Sequence, residues 1–303
     1  MIEASIVIPT KNEKTNIGPC LECVYGQRTH LSFEVVVIDS GSSDGTLDIV
    51  KRFPARLVQI ASSEFHHART RNLGASMTSG KYLVFLSGDA LPADREWLCA
   101  LLSNFQETDV AAVYGRQLPK ENATPERAFF MDHRYGAVRR VKNANSNGTG
   151  NHLLYQFSTV NSAIRREIWE QFPFQEDVNA YEDFSFAIQV VRDGHSIAYE
   201  PSAAVFHSHN YSLGYSFRQY FDSGVLYNRR QLWDANQNGQ MRSDGVRYVW
   251  KELQYLVQKR AGHRVPYVLC YEAARYLGLI LGRNEHLLPH VLKKTISSHG
   301  LFD

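Results

Sequence analysis

The amino-acid sequence predicts an α/β fold, a mostly parallel sheet covered by helices and followed by a helical extension. Three observations predict it. Short apolar runs rich in Val, Ile and Leu recur at 5–9, 35–38, 57–60 and 82–86, each followed by a helix-like stretch. Runs of that length suit strands covered on both faces, and strand–helix alternation suits a parallel, doubly wound sheet. Beyond Leu213 the texture changes to helical segments in which Tyr and Trp are interleaved with Arg and Lys. With 303 residues, 44% of them apolar and 21% charged, the chain is long enough to bury a large core around such a sheet.

Each element can be read in order. Ligands of open α/β sheets sit beyond the carboxyl ends of the strands, and those ends are polar here. The first run passes into Thr10-Lys11-Asn12-Glu13, and the second into Asp39-Ser40-Gly41-Ser42-Ser43-Asp44-Gly45. The fourth passes into Ser87-Gly88-Asp89-Ala90. Between the third and fourth strands, 66–75 reads as a helix start carrying Arg71, a cation suited to a diphosphate or a carboxylate. A further strand is expected at 110–114. The polar stretch 143–151 has nothing to give a core and reads as a loop, either a plain surface loop or a lid over a site. A helix opens at Glu182-Asp183 and stops at Gly194. Strands at 197–199 and 203–206 lead into His207-Ser208-His209.

Several function classes are excluded. No G-x-G-x-x-G follows the first strand and no G-x-x-x-x-G-K-[ST] occurs, which argues against a dinucleotide-dependent dehydrogenase and a P-loop NTPase. The strand-end loops offer carboxylates, which repel bare phosphates, so a nucleotide bound there needs a cation between acid and diphosphate. Cys20 and Cys23 form a C-x-x-C with no second pair nearby, and read as two helical residues one turn apart. The chain runs straight into its first strand and has no apolar run near the ~20 residues that span a bilayer. The expectation is a cytoplasmic protein, free or peripheral at the inner face of the plasma membrane.

The net charge of +2 is a sum of unlike parts. Residues 1–100 carry 10 basic against 11 acidic side chains, 101–210 carry 10 against 13, and 211–303 carry 13 against 7. The tail alone is therefore +6. No recognition motif accompanies it, so nucleic acid is not an expected partner. Its helices suit packing on the catalytic domain, packing on a second copy as a homodimer, or lying at a membrane–water interface.

Four features fall where one site gathers them. Asp39 ends a buried strand and suits a base edge or a ribose, whereas Asp44 also fits plain turn chemistry. Asp89 follows another strand. His207 and His209, two residues apart, face the same way in an extended segment, and with Asp89 offer the protein's share of a divalent metal site. Glu182-Asp183 is either an acidic helix start or a general base held by that helix.

As a set, 6–13, 37–46, 70–75, 87–90, 182–183 and 207–212 resemble, in order, the GT-A-fold family 2 glycosyltransferases, most closely their rhamnosyltransferase-like branch. The resemblance implies a GT-A, Rossmann-like nucleotide-sugar-binding domain over 1–212. Its donor-binding half is 1–115, its acceptor and catalytic half 116–212, and 213–303 form the helical extension. It implies that Thr10, Asn12, Glu13, Asp39 and Asp44 hold the base and ribose, with Arg71 near the diphosphate. Ser87, Gly88, Asp89, Glu182 and His209 complete the nucleotide-sugar contacts. Asp89 and His207 take Mg²⁺ or Mn²⁺, and Asp183 is the catalytic base. There is one departure, since Ser87 stands where the family's D-x-D metal motif has its first Asp. The implied reaction is inverting transfer of a sugar, best matched by L-rhamnose from dTDP-rhamnose, to a cell-surface glycan or polyprenyl-linked glycan. A UDP- or GDP-sugar donor, sugar nucleotidyl transfer, and a non-catalytic nucleotide-sugar-binding scaffold are the alternatives.

Overall fold

The computed structural model describes residues 2–146, 154–177, 180–230, 232 and 238–302. Most of the loop expected at 143–151 lies outside these residues. The chain forms two compact units: the first takes the described residues up to Lys120 and from Tyr135 to His207, the second Glu121–Arg134 and the described residues from Ser208 on.

The first unit is a nine-stranded sheet with helices. Strands β1 (Ala4–Thr10), β2 (Phe33–Asp39), β3 (Arg56–Gln59) and β4 (Tyr82–Leu86) run parallel in the order β3-β2-β1-β4. The expected parallel sheet is therefore present in the N-terminal half. Past β4 the sheet turns mixed. β8 (Asn161–Arg165) pairs antiparallel with β4 and with β6 (Val110–Leu118), and β6 runs parallel to β9 (Ser196–Phe206). The short β5 (Leu91–Pro92) and β7 (Arg140–Lys142) flank β9 on antiparallel ladders. The two runs at 197–199 and 203–206 are one strand, carried past Pro201 by an irregularity in the ladder to β6. At that irregularity a Cβ on Gly115 would meet the Ala203 carbonyl at 2.0 Å, so the close approach requires glycine.

The core forms where the apolar runs meet the helix Ile17–Tyr25 and the helix Trp97–Ser103: Ile6, Ile8, Leu21, Val37, Val84 and Trp97 are all fully buried. Cys20 is buried and Cys23 half-buried on the same helix, both as free thiols. Burial pushes the Cys20 thiol up, which makes it a packing residue. Register puts Thr10 opposite Asp39, so the loops after β1 and β2 open side by side. Backbone bonds join these ends: Ser40 N–H donates to the Thr10 carbonyl at 3.0 Å and Gly88 N–H to that of Pro9 at 3.4 Å.

The second unit is helical. The helix Leu213–Arg229 is capped by Ser212, whose hydroxyl accepts from Tyr215 N–H. It packs on the helix Val265–Arg283 so closely that a Cβ on Gly282 would lie 2.0 Å from the Phe221 carbonyl. Asp222, fully buried, accepts from the Ser298 and His299 N–H groups at 2.8 and 3.1 Å and so fastens the C-terminal segment.

Candidate active site

The loops after β1 and β2 hold each other. Asn12 adopts a left-handed conformation (φ 53°); its N–H donates to Ser42 Oγ at 2.8 Å and its Oδ1 accepts from Ser43 N–H at 2.9 Å. Asp39 is fully buried and accepts from Gly41 N–H at 3.0 Å, Ser42 N–H at 2.9 Å and the Ser42 hydroxyl. Asp44 accepts from the Thr46 hydroxyl at 2.6 Å and from Thr46 and Lys14 N–H, which hold its carboxyl below the usual range. Both carboxylates thus organise the loops as Asx-type turns. Glu13, half-buried, accepts from Asn16 Nδ2 at 2.6 Å; burial, reinforced by the charges of Asp89 and Asp44, raises its pKa. Thr10 is buried, and among the described residues its hydroxyl has no hydrogen-bond partner. A Cβ on Gly88 would stand 2.8 Å from that hydroxyl, so glycine keeps the two loops in contact.

Asp89 is the centre of a second cluster. Ser87 donates its N–H to the Val160 carbonyl at 3.0 Å and accepts from Ala90 N–H at 2.9 Å, a tight turn that presents the Asp89 carboxylate. Lys120 Nζ lies 3.3 Å from Asp89 Oδ2, and His207 Nε2 lies 3.5 Å from Oδ1. Gln117 Nε2 donates to Tyr135 Oη at 2.9 Å and to Ser158 Oγ at 3.0 Å. Its Oε1, 2.9 Å from His207 Nδ1, therefore accepts the Nδ1 proton. The other ring nitrogen, Nε2, is thereby aimed at the Asp89 carboxylate. A carboxylate and an imidazole so placed are ligand types that a divalent cation takes. An imidazole oriented through its other nitrogen is the usual preparation for metal ligation.

The third cluster opens the helix Glu182–Arg192, which follows Tyr181 in a left-handed conformation (φ 63°) and ends before Gly194 (φ 96°), as its sequence predicts. Glu182 is buried, 3.3 Å from Arg71 Nη1 and 3.1 Å from the Thr159 hydroxyl. Burial pushes its pKa up, but Arg71, His67 and the hydrogen bonds outweigh it, so the net shift is downward. Arg71, on the helix His67–Ser76, is itself buried and also donates to the His67 carbonyl at 3.1 Å. Its guanidinium is thus engaged by the start of the Asp183 helix. Asp183, half-buried, accepts from Phe184 N–H at 2.7 Å. Thr159 and Val160 link the clusters, one bonding Glu182 and the other Ser87. His209 is exposed in the second unit and stacks on Tyr211 with ring centroids 5.6 Å apart.

Lys120, Gln117 and Thr159 lie outside the residues that the sequence alone points to. The same strand-end rule that found Asp39 and Asp89 finds Lys120 once β6 is taken to Leu118 and not stopped at 114.

The parallel half-sheet, continued past β4 by a mixed half and ending in polar loops, is a GT-A fold. Residues 5–172, more than half of the chain, match the family described as Glycosyl transferase family 2. The chain belongs to glycosyl transferase family 2 and is a glycosyltransferase. It is 32% identical over 288 residues to the O-antigen chain rhamnosyltransferase WbaN of Salmonella anatum, covering 94% of this chain and 90% of that one. To the O-antigen chain rhamnosyltransferase RfbN of Salmonella typhimurium it is 31% identical over 292 residues, 95% and 92% of the two chains. The mannosyltransferase PcManGT from Pyrobaculum calidifontis, solved with GDP-Man and Mn²⁺, shares the fold with a TM-score of 0.62 at 18% identity, covering 93% of this chain and 87% of that one. S. aureus TarS 1–349, solved with UDP-GlcNAc, does so with a TM-score of 0.58 at 17% identity, covering 97% and 86%.

Proposed function

We propose that this enzyme transfers L-rhamnose from dTDP-rhamnose, with inversion and with a divalent cation, to a growing O-antigen-type glycan on a lipid carrier. The observation that carries the chemistry is the facing pair of Asp89 Oδ1 and His207 Nε2, 3.5 Å apart, with Nδ1 of the imidazole engaged by Gln117. Similarity along nearly the whole chain to two O-antigen chain rhamnosyltransferases supports the sugar and the acceptor.

Asp89 and His207 would hold Mg²⁺ or Mn²⁺, which when bound supplies positive charge against the departing diphosphate. The remaining work falls to the chain's own groups. Asp183 takes the acceptor hydroxyl proton as that oxygen bonds to the anomeric carbon and the bond from carbon to diphosphate oxygen breaks. Glu182 and Arg71 fix the helix start that carries Asp183. Thr10 offers a hydroxyl with no partner among the described residues, beside the loops of Asn12, Glu13, Asp39 and Asp44 that frame the base and ribose.

A thermal-shift and turnover screen of dTDP-rhamnose, UDP-sugars and GDP-sugars, with Mn²⁺ or with chelator, tests the reading. Stabilisation and turnover are expected with dTDP-rhamnose and Mn²⁺. Turnover of a UDP- or GDP-sugar alone overturns the donor. Binding with no transfer or hydrolysis makes the protein a scaffold, and release of pyrophosphate from a nucleoside triphosphate makes it a nucleotidyl transferase. Asp89→Ala should remove only the metal-dependent part of donor binding; equal losses with and without chelator overturn the metal role.

A further inference from the structure

The helix Val265–Arg283 is built inside out. Its charged residues turn inward: Arg275 is buried against the rings of Tyr220, Phe130 and Tyr271, and bonds Glu272 and the Tyr220 hydroxyl. Toward solvent the same helix presents Leu269, Cys270, Ala273, Tyr276, Leu277 and Leu281, a stripe at helical spacing with no charge in it. Leu269, Tyr276 and Leu277 are 46%, 49% and 57% exposed. On the segment that follows, Leu287 and Val291 are 72% and 78% exposed. Single exposed leucines need no explanation, but a contiguous stripe marks a surface that meets something.

The charge exposed on the same helical unit says what. The acidic side chains described in this tail turn mostly inward. Asp222 and Glu252 are buried, Glu272 pairs with Arg275, and Glu285 is held by Arg229 and Lys293. Lys251, Lys259, Arg260 and Lys294 are exposed. The solvent side of a region carrying +6 is therefore both apolar and cationic, and Trp250 is 62% exposed on the preceding helix, Asn238–Gln258. No described helix is long and apolar enough to cross a membrane.

We propose that this unit docks on an anionic lipid surface, with the Leu269–Leu281 stripe entering the headgroup boundary and the lysines and arginines meeting acidic headgroups. A second copy is the poorer occupant, because pairing two such surfaces sets like charges against each other. The inference stands on this surface alone and is independent of the chemistry proposed above.

The test is co-sedimentation of the full chain with vesicles of phosphatidylcholine alone or with phosphatidylglycerol. Binding is expected with the anionic vesicles, weakening in high salt. The double substitution Leu277→Asp, Leu281→Asp should lower the bound fraction about tenfold at an unchanged melting temperature. Should that variant fail to fold, a polarity-sensitive dye on Cys270, with Cys23 and Cys99 changed to Ser, reads insertion directly as a blue shift on anionic vesicles. No lipid preference and no shift overturn the proposal. So does a dimer in sedimentation equilibrium that the double substitution dissolves. Donor hydrolysis in solution reads the active site separately, so failure of one does not entail failure of the other.

Discussion

Glu182 and Glu252 are both buried carboxylates near a buried arginine, and their protons behave oppositely. Glu182 sits at a helix start, within reach of Arg71, the Thr159 hydroxyl and its own backbone N–H, and it is held below its ordinary pKa against the cost of burial. Glu252 is mid-helix. Burial, reinforced by the charge of Glu272, pushes it up to about 8, and Arg275, bonded to Glu272 and Tyr220, does not offset this. Glu252 Oε2 has no hydrogen-bond partner among the described residues. Strand ends and helix starts have donors to spare, so charge can be buried there in a working state. Mid-helix backbone N–H groups bond within the helix, and an acid buried among them keeps its proton.

The largest expected effect lies one residue beyond the satisfied pair. Asp183→Asn should reduce transfer about 10³-fold, the scale of a lost general base, with donor affinity nearly intact. An active Asn variant would show that the buried pair fixes a helix start with no proton-transfer role. Glu182→Gln comes next. It leaves Arg71 buried without its counter-charge, and stability should fall by about 3–5 kcal/mol. The sign with pH is definite. A carboxyl whose folded pKa is lowered contributes fully above its ordinary value of 4.5 and loses that contribution as pH falls through the folded value. Wild-type melting temperature should therefore carry an acid-side slope that the Gln variant lacks. A Gln variant as stable as wild type would break the contrast.

Glu252→Gln should act in the other direction. Between 4.5 and about 8 the native state holds a proton that the unfolded chain has released, so stability declines as pH rises through that window. Gln has nothing to release, and the variant should melt a few degrees higher at the alkaline end. A wild-type profile flat across the window would count against the protonated state.

The same contrast governs what the sequence discloses. Asp39, Asp89 and Glu182-Asp183 were legible because each falls where an apolar run stops or a helix starts, and those ends point along the chain. The parallel half of the sheet was legible for the same reason. β8 was not: Asn161 and Ser162 are polar, yet fully buried, and the Asn161 amide is satisfied by Trp97 Nε1 and the Ala203 carbonyl, partners far away in sequence. The engagement of Arg71 by Glu182, 111 positions apart, is tertiary in the same sense. The basic tail was visible as a sum of charges, but which side of each helix carried them was not, because the aromatic and basic residues there serve both the interior and the surface.

The smallest expected effect concerns Lys120, whose ammonium lies 3.3 Å from the carboxylate that faces His207. With Ser87 in place of a second acid, Asp89 is the one carboxylate of that turn, and Lys120 already balances it. A divalent cation binding there must share Asp89 with this resident charge, and like charges a few ångströms apart oppose each other. Lys120→Gln should therefore tighten Mn²⁺ binding several-fold, as a partly exposed pair worth about 1 kcal/mol allows. The measurement is direct Mn²⁺ titration of the protein without donor, by electron paramagnetic resonance or calorimetry. In chelator the same change should weaken nucleoside diphosphate binding, because the cation beside Asp89 is lost. Weaker Mn²⁺ binding in the Gln variant would mean that Lys120 orients Asp89 for the metal and does not compete with it.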